Sequence, residues 1–375
     1  MSGIYLHIPF CKQACHYCDF HFSTSLKKKT ELVEALCSEL VLRKNELPGT
    51  VETIYFGGGT PSLLTRDELE LIFKTIYNNY PVAEPVEVTL EANPDDLTEE
   101  IVKQLADSPI NRLSIGIQSF FEEDLKLMNR AHNGQEAEKC LTLATKYFEN
   151  ISLDLIYGVP GMTNERWKQN IEKALSFGIP HISSYALTVE PKTALETFIK
   201  KGIIPPVDDA LAEKHFFTLI DMLTQKDFVH YELSNFGKEG FFSKNNTAYW
   251  QGKSYLGIGP SAHSYKGNTR SWNVRNNTLY VKSIGKGKLP SETETLTTTD
   301  RYNEYIMTGL RTIWGVSVNR VEKEFGNKYK DYLLQQSQKH LDEHLLYLDG
   351  DTLLVTKKGK FLSDGLASDL FLLNL

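Results

Sequence analysis

Cysteine is scarce in this chain: five in 375 residues, three of them within positions 11–18. That is too few, and too clustered, for the disulfide framework of a small secreted domain. No apolar run approaches the roughly 20 residues that a membrane-spanning helix needs. The opening MSGIYLHIPFCK also lacks the basic flank, long apolar stretch and small-residue cleavage site of a secretory signal. The expected location is therefore the cytoplasm, with peripheral contact to a membrane surface left open. Positive charge is not in excess either: 41 Lys and Arg face 48 Asp and Glu, a net charge of −7. General nucleic-acid binding has no electrostatic footprint here. There is no fixed-period repeat and no low-complexity tract. What is present, 41% hydrophobic and 24% charged residues, suits a large core domain of about 200–300 residues and a smaller second one.

Up to about residue 235, short β-rich runs at 4–8, 53–56, 86–91, 112–118, 152–156, 182–187 and 229–233 alternate with helical patterns. This alternation predicts βα units around a parallel sheet. Leu69, Ile72, Phe73 and Ile76 carry the helical period, and Thr65 with Glu68 reads as a capping box at its start. Six or so such units suit a partial or complete α/β barrel, and a doubly wound sheet would alternate in the same way. The expected division is an α/β core at 1–235, an irregular Gly-, Asn- and aromatic-rich segment at 236–298 packed on it, and a third part at 299–375. In that last part, helices at 300–313, 318–324 and 328–343 precede a hairpin around Asp349-Gly350-Asp351. Three helices and a hairpin predict a small winged-helix-like domain. Ten Lys and Arg against eleven Asp and Glu there favour packing or protein partners over DNA readout.

Cys11, Cys15 and Cys18 follow the first predicted strand with C-x3-C-x2-C spacing. Three thiolates on one short loop can wrap a cubane and leave its fourth iron open to an outside ligand. Zinc is the rival, though a closed structural site wants four ligands and only His16, Asp19 or His21 lie nearby. Loop cysteines packed as small hydrophobes are the plainest alternative. Gly57-Gly58-Gly59-Thr60-Pro61 follows the second strand, where a parallel strand opens onto a ligand crevice. A tight turn would use the same glycines, and the phosphate-loop spacing is absent. Further polar residues stand at successive strand ends: Glu91, Gln118, Arg130 in the next helical stretch, and Asp154 inside the apolar ISLDLIYG. An acid in so apolar a strand needs a partner, and Arg130 is the candidate.

The run YLHIPFCKQACHYCDF resembles the radical S-adenosylmethionine (SAM) superfamily. Within it, the run is similar to the branch of oxygen-independent coproporphyrinogen dehydrogenases and their haem-chaperone relatives, HemN and HemW. The likeness covers nearly the whole chain. It implies a radical SAM barrel whose 4Fe–4S cluster sits on Cys11, Cys15 and Cys18, with the amino and carboxylate groups of SAM on the open iron. An electron donor would reduce the cluster, which passes one electron into a C–S bond to give methionine and a 5′-deoxyadenosyl radical. The resemblance further implies that Tyr5, Tyr17, Gly58, Gly59, Thr60, Glu91, Gln118, Arg130 and Asp154 line one or two SAM sites. The segment from Leu256 to Ser264 is similar to a family loop that closes over the pocket.

Two departures from the dehydrogenase pattern point to the haem-chaperone side of the branch. Phe20 stands where the dehydrogenases have a further cysteine, and the chain begins only ten residues before Cys11, so their longer N-terminal extension is expected to be missing. The implied function is to bind haem and pass it to an acceptor protein, with oxidation of a porphyrinogen as the alternative. The chaperone motif H-N-x-x-Y-W reads Asn245-Asn246-Thr247-Ala248-Tyr249-Trp250 here. An amide is a poor iron ligand where imidazole is a common one, so either an iron ligand comes from elsewhere or haem binding is weaker. Tyr249 and Trp250 are left as flat surface for a porphyrin or as core aromatics.

Overall fold

The computed structural model describes residues 2–373. Its strands are β1 (Ser2–Ile8), β2 (Val51–Gly58), β3 (Val82–Ala92), β4 (Arg112–Gln118), β5 (Ile151–Tyr157), β6 (His181–Ala186), β7 (Val229–Glu232), β8 (Asn235–Gly237), β9 (Ser254–Ile258), β10 (His263–Lys266), β11 (Thr269–Asn273), β12 (Ser291–Thr295), β13 (Val316–Ser317), β14 (Leu346–Asp349) and β15 (Thr352–Val355). The first twelve form one sheet in the order β12-β11-β10-β9-β1-β2-β3-β4-β5-β6-β8-β7. From β1 to β6 the strands run parallel in chain order. A doubly wound sheet reverses its order at a switch point, whereas one-way winding is that of a β/α barrel. This barrel is open: β6 pairs with antiparallel β8, not with β1.

Each barrel strand divides its side chains between two faces. Ile4, Leu6, Ile8, Ile54, Phe56, Val88, Leu90, Leu113, Ile115, Leu153 and Leu155 are buried in the main core against helices such as Lys29–Leu42 and Arg66–Asn79. The opposite face carries Tyr5 and His7, Thr53, Tyr55 and Gly57, Glu87, Thr89 and Glu91, Arg112, Ser114 and Gly116, and Ser152 and Asp154. Period-2 alternation thus makes one apolar face and one polar concave face, both shielded from water. Thr65 accepts from Glu68 N, and Glu68 bonds back, at the capping box.

Residues 236–298, expected to be irregular, instead contain four strands. β9 inserts beside β1 in parallel, and β10–β12 continue the sheet as an antiparallel meander. These strands are four or five residues long, too short for a clear period. Gly257 sits where a Cβ would lie 1.9 Å from the His263 carbonyl oxygen, so its glycine marks close approach, not a loop. The expected closing loop at 256–264 is accordingly the end of β9 and the turn after it.

The C-terminal part has its own apolar core, including Tyr302, Ile306, Val321, Leu333 and Leu353. Helices Thr298–Leu310, Val318–Phe325 and Asn327–Asp342 pack with a small antiparallel sheet, β13-β15-β14. A further helix, Ser363–Asp369, has no counterpart in the sequence forecast.

Candidate cofactor site

The cysteine loop leaves the C-terminal end of β1 and is tied down on several sides. Cys11 N donates to Ser23 O at 3.1 Å, His16 N to Met128 O at 3.1 Å, and Leu195 N to His16 O at 2.8 Å. Gln13 and Asn129 exchange side-chain bonds with each other's segments, Gln13 Nε2 to Asn129 O at 2.9 Å and Asn129 Nδ2 to Ala14 O at 2.7 Å. The glycine loop after β2 docks on the same segment: Gly59 N donates to Ile8 O at 2.9 Å and Thr60 N to Phe10 O at 2.7 Å. A Cβ on Gly59 would lie 2.6 Å from Phe10 O. Glycine is required there to bring the two loops together.

All three cysteines are free thiols, half-buried. Each sulfur has a donor at hand: the Thr60 hydroxyl at Cys11, the Arg130 guanidinium at Cys15 (Nη1 to Sγ, 3.3 Å) and the Phe20 backbone N–H at Cys18. Donors aimed at sulfur tune and support cluster thiolates. Without a metal, burial pushes the Cys11 and Cys18 thiols up, Cys18 to about 11. Among the described residues, no three His, Cys, Asp or Glu side chains converge as ligands of a single ion. Cubane ligands each bind a different iron, so the donor set suits a cluster better than zinc.

Beyond the sulfurs, the expected residues fall into connected groups. Tyr5 stacks near Tyr55, whose hydroxyl donates to Glu91 Oε1 at 2.8 Å, and Gly58 N donates to Glu91 Oε2 at 3.2 Å. Tyr5 donates to His7 Nδ1 at 3.2 Å, and His7 Nε2 donates to His21 O at 2.9 Å. The carbonyl can only accept, which places the proton of the neutral ring on Nε2. Thr60 Oγ1 accepts from Asn93 Nδ2 at 3.0 Å, and Asn93 Oδ1 accepts from Arg130 Nη2 at 2.6 Å. Arg130 Nη2 also reaches Gly116 O at 2.7 Å. Tyr17 lies near Arg130 and Cys15, and burial raises its hydroxyl pKa. Gln118 closes β4 with φ 66°, and its Nε2 crowds the position a Gly116 Cβ would take. Asp154 faces Gly116 in register on β5.

Arg130 makes no hydrogen bond to Asp154, whose main favourable charge is Arg112 with Arg130 a lesser one; Arg130 lies in the turn after helix Glu122–Leu127 instead of in a helix. Asp154 accepts from Ser114 at 3.2 Å and Ser152 at 3.5 Å, while Arg130 is drawn away to Cys15. Burial lifts the Glu91 carboxyl to about 7 and the Asp154 carboxyl to about 6, and the Asp154 charge pushes Glu91 further up. Two carboxyls with raised affinity for protons, together with buried Thr89 Oγ1 and Arg130 Nε that have no partner, make a polar face suited to the amine, hydroxyls and carboxylate of a ligand. Tyr55, Asn93, Ser114 and His7 also belong to this network and were not anticipated. Their signal was period-2 alternation: Tyr55 lies two residues before Gly57, Ser114 two before Gly116, and His7 two after Tyr5.

Asn245 lies elsewhere, in helix Lys244–Trp250. It is buried, with Oδ1 accepting from Thr53 Oγ1 at 3.1 Å. Tyr249, one turn on, packs against Tyr255 at 4.4 Å between centroids.

Comparison with known proteins matches this geometry to a family. The Radical SAM superfamily model matches residues 5–174, and the HemN C-terminal domain model matches residues 296–362. Heme chaperone HemW of Bacillus subtilis (strain 168) is 35% identical over 374 residues, covering 97% of each chain. Heme chaperone HemW of Lactococcus lactis subsp. lactis is 35% identical over 361 residues, 96% of this chain and 94% of the relative. The solved structure of coproporphyrinogen III oxidase (HemN) from Escherichia coli, a radical SAM enzyme, superposes with a TM-score of 0.85. It covers 99% of this chain and 90% of that one at 22% identity, a likeness that shows the fold. The superfamily implies a 4Fe–4S cluster and SAM as cofactors. No helix among the described residues is long and apolar enough to cross a membrane. By sequence along almost its full length, and by fold, this chain belongs to the HemW family of radical SAM proteins.

Proposed function

We propose that this protein is a cytoplasmic haem chaperone that carries a cluster on Cys11, Cys15 and Cys18, binds SAM beside it, and passes haem to an acceptor protein. The observation that carries the reading is 35% identity to heme chaperones along both full lengths. Phe20, where the resembled dehydrogenases have another cysteine, agrees with it; its side chain is 67% exposed.

When bound, the cluster supplies one electron to the sulfonium of SAM. The chain's own residues position that cofactor. Glu91, held by Tyr55 and the Gly58 N–H, is placed to accept from the amino group or ribose hydroxyls. Tyr5, Gly58, Gly59 and Thr60 form one wall and Gln118, Arg130 and Asp154 the other, with Tyr17 on the cysteine loop beside Arg130. Arg130 balances thiolate charge at Cys15. An electron donor must reduce the cluster. The division into an α/β core at 1–235, a linking segment at 236–298 and a C-terminal domain at 299–375 belongs to the same reading.

Anaerobically reconstituted protein should bind haem, read by its Soret absorbance, and should leave coproporphyrinogen III unchanged in the presence of SAM and a reductant. Robust conversion to protoporphyrinogen would overturn the reading.

A further inference from the structure

The concave face of the sheet does not end at β1. Facing residues of paired strands share a sheet face, and the registers Tyr265 with Tyr255, Tyr265 with Arg270, and His263 with Trp272 put these five side chains on one face. Tyr249 joins them from helix Lys244–Trp250, 4.4 Å from Tyr255, and Tyr255 lies 6.3 Å from Tyr265 in a stacked arrangement. His263 stands over Trp272, with centroids 6.1 Å apart and rings 30° from parallel. The result is a wall of three tyrosines and a tryptophan, all partly accessible, with one exposed imidazole at its end.

Two of the ten imidazoles are exposed, His263 on this wall and His344 in the C-terminal part. His181 and His215 are fully buried, and His7, His132 and His230 nearly so. His16 and His21 are turned into hydrogen bonds with Leu127 O and Asn277 Oδ1. Among the described residues the His263 ring has no hydrogen-bond partner, and it stands beside Trp272 at the end of the aromatic wall.

Charge around the wall is also suggestive. Arg270 lies on it, paired with Glu294 and Glu304. Glu304 comes from the C-terminal domain, so Arg270 joins the wall to that domain. A planar apolar macrocycle with a metal needing an axial ligand and carboxylates on one edge matches such a surface.

We infer that the face formed by Tyr249, Tyr255, Tyr265 and Trp272 seats haem, with His263 as the iron ligand and Arg270, on the same face, at its edge. The inference rests on the haem-chaperone reading and assigns the ligand that Asn245 cannot provide. Asn245 is buried and engaged with Thr53, whereas the His263 ring is exposed on the wall.

The test is a haem titration of the full chain with its cluster in place, followed by absorbance and by electron paramagnetic resonance of the ferric form. Wild type should show an imidazole-ligated signature. His263→Ala should lose it, and added imidazole should restore it. His263→Tyr should replace it with a phenolate-type spectrum. Equal iron and sulfide content in the cluster would show that each variant is folded. Wild type that takes up no haem would sink the chaperone reading itself. Wild type that binds haem while His263→Ala gives an identical spectrum would leave that reading standing and overturn this one.

Discussion

The sharpest residue-level consequence concerns Glu91 and Asp154. Their carboxyls rise from 4.5 to about 7 and from 3.8 to about 6, with burial the main cause in each. The folded protein therefore holds these protons more tightly than the unfolded chain. The resulting stabilisation is complete below about pH 4 and is lost as pH climbs through 6 to 7. Glu91→Gln should flatten the fall in the denaturation midpoint of ligand-free protein between about pH 4.5 and 7. Asp154→Asn removes a charge that pushes Glu91 up, so it should move the remaining transition to lower pH. An unchanged midpoint profile in both variants would refute the assignment. The cysteines make a simpler case: Cys11→Ala, Cys15→Ala or Cys18→Ala should each abolish cluster assembly, read as loss of iron and sulfide. Most of this site was legible one residue at a time, because a charge in an apolar strand or three cysteines on one loop stand out locally. Arg130 acts on Asp154 only at a distance, behind Arg112; sequence shows that Asp154 needs a partner but not which donor lies nearest. Ser152, two residues back on the same strand, is a local partner, whereas Ser114 of β4 reaches Asp154 through strand register, and register is a property of the fold.

At the scale of elements, helix Lys244–Trp250 carries the motif that separates this chain from the histidine-bearing pattern. Its start is held by Glu87 of β3, whose carboxylate accepts from Lys244 N at 3.1 Å and Asn245 N at 3.0 Å. Ser243 caps the next N–H, at Asn246. The first N–H groups of a helix have no partner within it, and a negative charge there also meets the positive end of the helix dipole. Glu87→Leu would leave the Asn245 N–H buried and unpaired, at about 1–3 kcal/mol, and the more accessible Lys244 N–H unpaired at a smaller cost. The expected result is a denaturation midpoint well below wild type with iron content preserved, since the cysteine loop is anchored at the other end of the barrel. Loss of iron with unchanged stability would contradict this view. The helix was visible as a motif, but its neighbour β9 was not. β9 pairs with β1 across about 250 positions of chain, and its Gly257 is read locally as a loop residue. Short strands whose partners are remote carry almost no local signature, which is why the meander was mistaken for irregular chain.

For the whole molecule, the question is how two separate apolar cores act as one protein. β7 ends the large sheet, and an unpaired edge strand invites association with other chains. The C-terminal domain covers it: Ile313 N donates to Tyr231 O at 3.0 Å, and Thr312 bridges to Glu232. Lys360 Nζ donates to His230 Nδ1 at 2.8 Å, Arg311 lies over the Trp250 ring at 5.7 Å, and Phe361 packs on Phe216 at 5.5 Å. Burial brings the Lys360 ammonium down to about 8 and the His230 ring to about 3, so at neutral pH a charged lysine donates to a neutral imidazole. Phe361 packs on the barrel's core although it belongs to the other domain, which makes it the apolar anchor of the contact. Truncating a partly buried phenylalanine should cost about 1–3 kcal/mol, below the 3–5 expected for a fully buried one. That loss should fall on docking and not on either core. In Phe361→Ala, amide exchange should quicken at Ile313, which reports the contact, while Leu333 and Leu353 inside the C-terminal core and Leu113 inside the barrel keep wild-type protection. Faster exchange at all four would mean that the two cores form a single cooperative unit. Because Arg270 of β11 is tied to Glu304 of the C-terminal domain, the same loosening should reach the aromatic wall, and haem should leave this variant faster than it leaves wild type.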